Sequence, residues 1–247
     1  MIPVSVVIVT KDEEKNIKDA LESVKEFSEI IVIDSFSSDR TVDICKKYTK
    51  NVYQEEWKGY ANQKQKGIDK ASLPWVLILD ADERITKELK SEIADALNDK
   101  NCSGFHIPRK NFFLEKWVRH GGWWPDYTLR LFRKDRAHIE RREVHEKIVV
   151  QGSTRYLKNP MEHYTSRTFS DFLKKLEDYS SLSAKEMHRQ GIKPGILSFT
   201  ARPFFTFSKM FFFRMGFLDG EHGLILSLLY SYYTFLKYAK TWEKGRK

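Results

Sequence analysis

Acidic side chains carry the most pointed chemistry in this chain. In VLILDADERIT (76–86) an apolar run passes directly into Asp80, Asp82 and Glu83. A carboxylate held away from water is costly unless a positive charge compensates it. Residues i and i+2 of a strand point the same way, so Asp80 and Asp82 project together from a strand end. Two hard oxygen donors suit Mg2+ or Mn2+, which keep several waters and take further ligands from substrate phosphates. Many solvated loops contain an Asp-x-Asp triplet. Its place here, after the fourth buried strand of an α/β alternation, gives it weight.

That alternation is read from periodicity. SVVIV (5–9) precedes a helix with Ile17, Leu21, Val24 and Phe27 at helical spacing. IIVID (30–34) is a second apolar run. It precedes a helix with Val42, Ile44, Cys45 and Tyr48, for which Asp39 is a candidate cap. NVYQE (51–55) reads as a third strand, 59–71 as a helix, WVLIL (75–79) as a fourth strand, and 86–99 as a helix capped by Thr86. Uniformly apolar strands alternating with helices predict a mostly parallel sheet covered on both faces. Ligands of such sheets bind beyond the carboxyl ends of the strands. This puts Thr10–Glu14, Asp34–Asp39 and Asp80–Glu83 along one edge. No GxGxxG follows the first strand and no GxxxxGK[ST] occurs, which weighs against a dinucleotide fold and a P-loop enzyme.

After about residue 100 the pattern changes. GFHIPRKNFF, YTLRLF and EKIVVQG read as shorter antiparallel strands, separated by HGGWWPD (120–126). From 168 the chain reads as helical, with Phe169, Phe172, Leu173, Leu176 and Tyr179 on one stripe and a stop near Gly191–Pro194. We expect a catalytic domain over 1–165 and a helical acceptor and membrane-associating region over 166–247.

Composition bounds the class. The chain has 247 residues, 41% hydrophobic and 31% charged, with a net charge of +9. Residues 1–100 hold 16 Lys/Arg against 20 Asp/Glu, and the remainder 27 against 14. A basic half fits a membrane surface, a phosphorylated substrate or nucleic acid. Cys45 and Cys102, far apart and in no CxxC pattern, suit a reducing compartment rather than a disulfide framework or a structural zinc site. MIPVSVVIVTKDEE lacks a basic n-region and a cleavage site and reads as a strand, not a signal peptide.

The segments VSVVIVTKDEEKNI, EIIVIDSFSSDRT and WVLILDADERI, in this order and spacing, resemble the family 2 glycosyltransferases of GT-A fold. FHIPRKNFF, GGWWPDYTLRLFRK, EVHEKI, HYTSRT and GFLDGEHG are further similar to bacterial lipopolysaccharide inner-core enzymes that add β-1,4-glucose to heptose. The resemblance implies a UDP-sugar donor, UDP-glucose, and a glycolipid acceptor. It implies that Thr10, Asp12 and Asp34 contact uracil and ribose, although many members carry two acids after the second strand and here the second is Ser35. It implies that Asp80 and Asp82 manage diphosphate and metal, with Asp82 the direct ligand and His163 completing the shell. The slot for the catalytic base reads Val144-His145-Glu146. Glu146 is therefore the expected base, with Glu143 and Asp126 as alternatives. Removal of the acceptor proton by a carboxylate, opposite a departing diphosphate, gives inversion in one displacement. On this reading the paired acids tolerate each other because a divalent cation joins them. Lys64 and Lys66 read as solvated helix lysines, and Arg130 and Arg133 as candidate phosphate contacts.

Residues 199–236 are crowded with aromatics, yet no uninterrupted apolar run approaches the roughly 20 residues needed to span a bilayer. Interleaved basic and aromatic residues suit helices lying in a membrane interface. We therefore expect a cytoplasmic protein, peripheral on the inner face of the cytoplasmic membrane. A dehalogenase-type phosphatase would place its DxD after the first strand. A nucleic-acid reader would show a recognisable motif, so no nucleic-acid partner is expected. Transfer of another sugar to a polyprenyl-linked glycan, or a non-catalytic scaffold of the same fold, remains an alternative, and oligomeric state is open.

Overall fold

In the computed structural model, which describes residues 1–140, 147–166 and 168–246, the apolar N-terminal run becomes the central strand of a large sheet. The elements follow in order. β1 (Ile2–Thr10), α1 (Ile17–Val24), β2 (Phe27–Asp34), α2 (Thr41–Cys45), β3 (Val52–Gln54), α3 (Tyr60–Lys70) and β4 (Trp75–Asp80) form the strand–helix alternation. Next come β5 (Glu83–Ile85), α4 (Lys87–Ala96), β6 (Gly104–Phe113), β7 (Lys116–Trp117), β8 (Asp126–Arg133), β9 (Ala137–Glu140), β10 (Lys147–Val150), β11 (Thr154–Tyr156) and β12 (Met161–Ser166). The remainder is helical: α5 (Phe169–Arg189), α6 (Ile196–Phe199), α7 (Ala201–Ser208) and α8 (Glu221–Lys244).

The main sheet has the order β3-β2-β1-β4-β8-β6-β12-β5, with β7 and β11 pairing on β6. β1 pairs in parallel with both β2 and β4, and β2 with β3. Alternate residues of β1 feed two cores. Val4, Val6 and Ile8 pack with Ile17 and Leu21 of α1 and Leu89 and Ile93 of α4. Val7 and Val9 pack with Ile31, Ile33 and Ile68. Covering both faces is what makes a central strand apolar at every position. Thr86 caps α4 as expected, its hydroxyl accepting from Leu89 N at 3.2 Å.

Several expectations change after β4. β8 runs antiparallel to β4, as anticipated, but β6 is a ten-residue strand that also takes β11 in parallel. Residues 147–150 pair antiparallel with β9 in a separate two-stranded sheet. β5, β9, β11 and β12 are too short or too polar to announce themselves by periodicity. The buried stripe of α5 is Phe172, Leu176, Ser180 and Ala184, whereas Phe169, Leu173 and Tyr179 are exposed. A strict i+4 stripe is narrower than the one expected because a single partner face covers it.

The chain divides into two compact units, Met1–Arg109 with Tyr127–His163, and Lys110–Asp126 with Tyr164–Lys247. The second unit has its own core of Phe113, Trp123, Phe172, Leu176, Met210, Leu226 and Leu229. Asp219 anchors it, accepting from the backbone N–H of His120 at 2.7 Å.

Gly67 is where α3 meets β1. A Cβ there would lie 2.2 Å from Val7 Cγ1 and 3.3 Å from Ile33 Cγ1. Gly67→Ala should therefore lower stability by about 1–3 kcal/mol through overpacking, despite alanine's better helix propensity. A urea midpoint equal to the parent's would refute this close approach. Cys45 and Cys102 are fully buried, and burial, then the nearby Asp34 charge, pushes the Cys45 thiol up to about 12. Both thiols should resist Ellman's reagent in the native protein and react only on unfolding; rapid native labelling would contradict their placement.

Candidate active site

Parallel register brings the strand ends together. Thr10 of β1 is opposite Asp34 of β2, Asp34 is opposite Gln54 of β3, and Val9 is opposite Asp80 of β4. The loops after β1 and β2 are then joined by side chains. Asp12 Oδ1 accepts from Ser38 N at 2.7 Å, and Asp12 N donates to Ser37 Oγ at 2.8 Å. Glu13 N donates to Thr41 Oγ1 at 2.8 Å and Glu14 N to Asp39 Oδ2 at 3.0 Å. Asp12 takes φ +53°, a left-handed conformation that Asp tolerates better than most residues. Asp39 accepts from Thr41 N at 2.9 Å, so it ties the start of α2 to the neighbouring loop.

Asp34 is fully buried and accepts from Ser37 N at 2.9 Å, Ser37 Oγ and Gln54 Nε2 at 3.3 Å. Thr10 Oγ1 is buried with no hydrogen-bond partner among the described residues. A buried hydroxyl without a partner is uncommon in a native structure and suits a group that a ligand satisfies. Gln63 Nε2, from α3, donates to Ser35 Oγ at 2.8 Å and to Glu55 O at 3.0 Å, so Ser35 serves the wall of the site.

The acidic triplet has an internal counter-charge. Asp80 Oδ1 is 3.1 Å from Lys64 Nζ, and Oδ2 is 2.5 Å from Arg130 Nη2. Glu83 is 0% exposed; its Oε1 lies 2.6 Å from the same Arg130 nitrogen and 3.7 Å from Arg109 Nη1, while Oε2 accepts from Asp80 N at 2.9 Å. Burial alone would raise the Asp80 pKa, but Arg130 and then Lys64 outweigh it and hold the carboxyl well below the usual range. Burial likewise disfavours the Arg130 cation, and Asp80 and Glu83 more than restore it. Arg84 braces the turn, donating to Ala81 O at 2.9 Å, to Glu83 O at 2.8 Å and to Asn16 O at 2.8 Å.

Two expectations are corrected here. Asp80 is compensated by Lys64 and Arg130 themselves, so tolerance of the paired acids does not require a divalent cation between them. Lys64 is buried rather than solvated, because α3 turns its Lys64–Gly67–Ile68 face towards the sheet. Lys66 pairs with Glu55 at 2.5 Å, and Arg133 lies 3.5 Å from Asp135. The parts played by Glu83, Arg84 and Arg109 were missed. The signal for Lys64 was present, as it sits one turn before Ile68 on the apolar stripe.

Asp82 stands apart from this clamp. Its Oδ2 is 3.5 Å from His163 Nε2, and both side chains are largely shielded from solvent. Antiparallel pairing of β5 with β12, which sets His163 opposite Glu83, produces the approach. A carboxylate oxygen and an imidazole nitrogen converging on one place fit a two-donor protein share of a divalent-ion shell. Among the described residues no group of three or more His, Cys, Asp or Glu forms a metal cluster. Asp126, at the start of β8 and in the second unit, accepts from Asn111 Nδ2 at 3.0 Å. Glu143 and Glu146 lie outside the described residues.

Removing Arg130 would leave Glu83 in the interior with the more distant Arg109, at 3.7 Å, as its counter-charge. Arg130→Met should cost about 3 kcal/mol, the lower end for breaking a buried ion pair. Adding Glu83→Gln should recover part of that loss. Denaturation midpoints of the single and double variants measure this, and an Arg130→Met protein within about 0.5 kcal/mol of the parent would show the clamp to be energetically idle.

Comparison with known proteins places this geometry. Residues 5–180 match the sequence profile of glycosyl transferase family 2. The lipopolysaccharide core biosynthesis glycosyltransferase LpsC of Rhizobium meliloti (strain 1021) is 26% identical over 256 residues, covering 98% of this chain and 93% of LpsC. Among solved structures, the mannosyltransferase PcManGT of Pyrobaculum calidifontis, in complex with GDP-Man and Mn2+, superposes with a TM-score of 0.53 at 14% identity, covering 98% of this chain and 88% of that one. Residues 1–349 of S. aureus TarS, in complex with UDP, give 0.50 at 17% identity, with 98% and 91% covered. The mixed α/β architecture with its curled, mostly parallel sheet is the GT-A fold. By its sequence and its fold, this chain belongs to glycosyl transferase family 2.

Proposed function

We propose that this glycosyltransferase is inverting and metal-dependent, and that it moves glucose from UDP-glucose to a glycolipid acceptor such as the heptose of a lipopolysaccharide inner core. The observation carrying the metal-dependent reading is the pairing of Asp82 with His163 beside a carboxylate, Asp80, that already has its own cations. Bound there, Mg2+ or Mn2+ would offset the charge that grows on a departing diphosphate. Asp80 keeps Lys64 and Arg130 in place at the same edge, lending positive potential where phosphates must lie. The unpartnered Thr10 hydroxyl, with Asp12 and Asp34, is the proposed uracil and ribose contact. In that role Asp34 also organises its loop through Ser37 and Gln54.

Glu146 is the proposed base that takes the proton from the acceptor hydroxyl, with Glu143 and Asp126 as the other carboxylates to test. The donor assignment draws on the resemblance and on the UDP held by TarS; PcManGT holds GDP-Man, so the fold accepts either base. The acceptor assignment draws on the name of LpsC. Residues 1–165 are proposed as the catalytic domain and 166–247 as a helical region that meets acceptor and membrane. No helix among the described residues is long and apolar enough to cross a membrane. Peripheral attachment at the inner face of the cytoplasmic membrane is the form proposed.

Nucleotide release from UDP-glucose, compared with other UDP-sugars and GDP-mannose, tests the reading directly. Chelation with EDTA should stop release and Mn2+ should restore it. Asp82→Ala should lose about a thousandfold in turnover, the scale of several kcal/mol of charge stabilisation, with an unchanged denaturation midpoint. His163→Ala should raise the metal concentration needed for half-maximal rate. Near-parental, EDTA-resistant activity in Asp82→Ala would overturn the metal assignment.

A further inference from the structure

The second unit contains a pocket to which the proposed transferase chemistry assigns no residue. It has a volume of about 470 Å3 and lies among α6, α7 and α8, with Arg202 and Lys237 on its wall. Both cations flank one ring: the Arg202 guanidinium is 5.0 Å from the Tyr238 centroid and Lys237 Nζ is 5.5 Å from it. Arg202 also donates a hydrogen bond to the Tyr238 hydroxyl. Neither cation has an ion-pair partner among the described residues. The sequence explains why, since residues 187–218 and 222–242 contain no Asp or Glu. Burial, and then the Arg202 charge, pull the Lys237 pKa down, as two like charges without a counter-ion should.

The pocket's hydroxyl groups narrow the chemistry. Thr206 Oγ1 donates to Arg202 O at 3.0 Å and Thr234 Oγ1 to Tyr230 O at 2.9 Å, so neither spends its proton on a ligand. The donors left facing the pocket are the guanidinium, the ammonium and the Tyr238 hydroxyl, an acceptor-only partner's complement. Exposed apolar side chains lie at the pocket: Leu197, 69% exposed, and Phe205, 60%, line it, and their chain neighbours Ile196, 78%, and Phe204, 73%, are also exposed. Large exposed apolar patches mark interaction surfaces. A free anion would leave these four side chains in water. An anion attached to acyl chains would place them at the hydrocarbon boundary, with the basic pair at headgroup level.

We propose that the Arg202–Lys237 pocket binds the phosphate of an anionic phospholipid headgroup, with the Leu197 and Phe204–Phe205 rim inserted beside it. The site rests on the membrane-associated reading above and adds a defined headgroup contact to it.

Flotation of the full-length protein with phosphatidylcholine vesicles, with and without phosphatidylglycerol, tests the pocket. The parent should bind the anionic vesicles selectively. Arg202→Gln/Lys237→Gln should weaken that binding by about thirtyfold, the scale for two basic groups at an anionic surface. Lys174→Gln/Lys193→Gln, which removes the same charge from exposed positions of the second unit, should change it by less than about twofold if the pocket and not the net charge is responsible. Phe204→Ser/Phe205→Ser, which leaves both cations in place, should also lose vesicle binding. If the parent binds and the two charge variants lose equally, or neither loses, the pocket assignment fails while membrane attachment stands. Failure of the parent to bind any vesicle overturns both. Inorganic phosphate that raises the parent's melting temperature but not that of Arg202→Gln/Lys237→Gln, without vesicle selectivity, would assign the pocket to a free anion and overturn the lipid.

Discussion

A knot of opposite charges holds the carboxyl edge of the sheet together. Two carboxylates, Asp80 and Glu83, converge on the Arg130 guanidinium, with Lys64 completing one side and Arg109 the other. The buried members, Glu83, Arg130 and Lys64, are tolerated in the low-dielectric interior because opposite charges meet them there. The knot joins α3, β4, β5, β6 and β8, elements drawn from distant parts of the chain. It fixes the place where β4 ends and therefore where Asp82 begins. Guanidinium geometry matters here, since one planar cation meets two carboxylates that a lysine's point charge would orient less tightly.

Around that knot, loops that would otherwise be mobile are held by their own side chains. Asp12, Glu13 and Glu14 from the first loop exchange hydrogen bonds with Ser37, Ser38, Asp39 and Thr41 from the second. Arg84 ties the turn after β4 to Asn16 O of the first loop. Three loops thus share one hydrogen-bonded frame. Such a frame supplies the preorganisation that positioned chemistry needs. The Asp82–His163 pair lies at the same edge, brought together by the β5–β12 pairing.

The second unit follows a different design. Its core is a small aromatic and aliphatic cluster, and residues 187–218 and 222–242, which include α7 and most of α8, carry basic and aromatic side chains and no acids. Tyr233 and Ser183 share a hydrogen bond between α8 and α5, and Lys240 bonds Glu177 across the same pair of helices. Charge pairing is thus satisfied towards α5 and left unsatisfied at Arg202 and Lys237. The asymmetry is what separates a helix face used for packing from one available to a partner.

The sequence by itself determined the strand–helix alternation, the parallel centre and the edge that carries the acids. Those features are local: apolar runs and helical spacing depend on neighbours in the chain, whereas the joint projection expected of Asp80 and Asp82 fails because β4 ends at Asp80 and Asp82, in the turn beyond it, meets His163 instead. The Thr86 cap was legible for the same reason. Only the tertiary structure decided which charge answers which. Lys64 lies sixteen residues before Asp80, Arg130 fifty after it and His163 eighty-one after Asp82; sheet pairing, not chain spacing, brings them together. The short β5 and β12 strands, which set His163 beside Asp82, carry too few residues to show a period and exist because each completes the other's backbone hydrogen bonds. A buried ion pair leaves no mark on either partner's local pattern. That is why the chain announced its acids but not the cations that hold them.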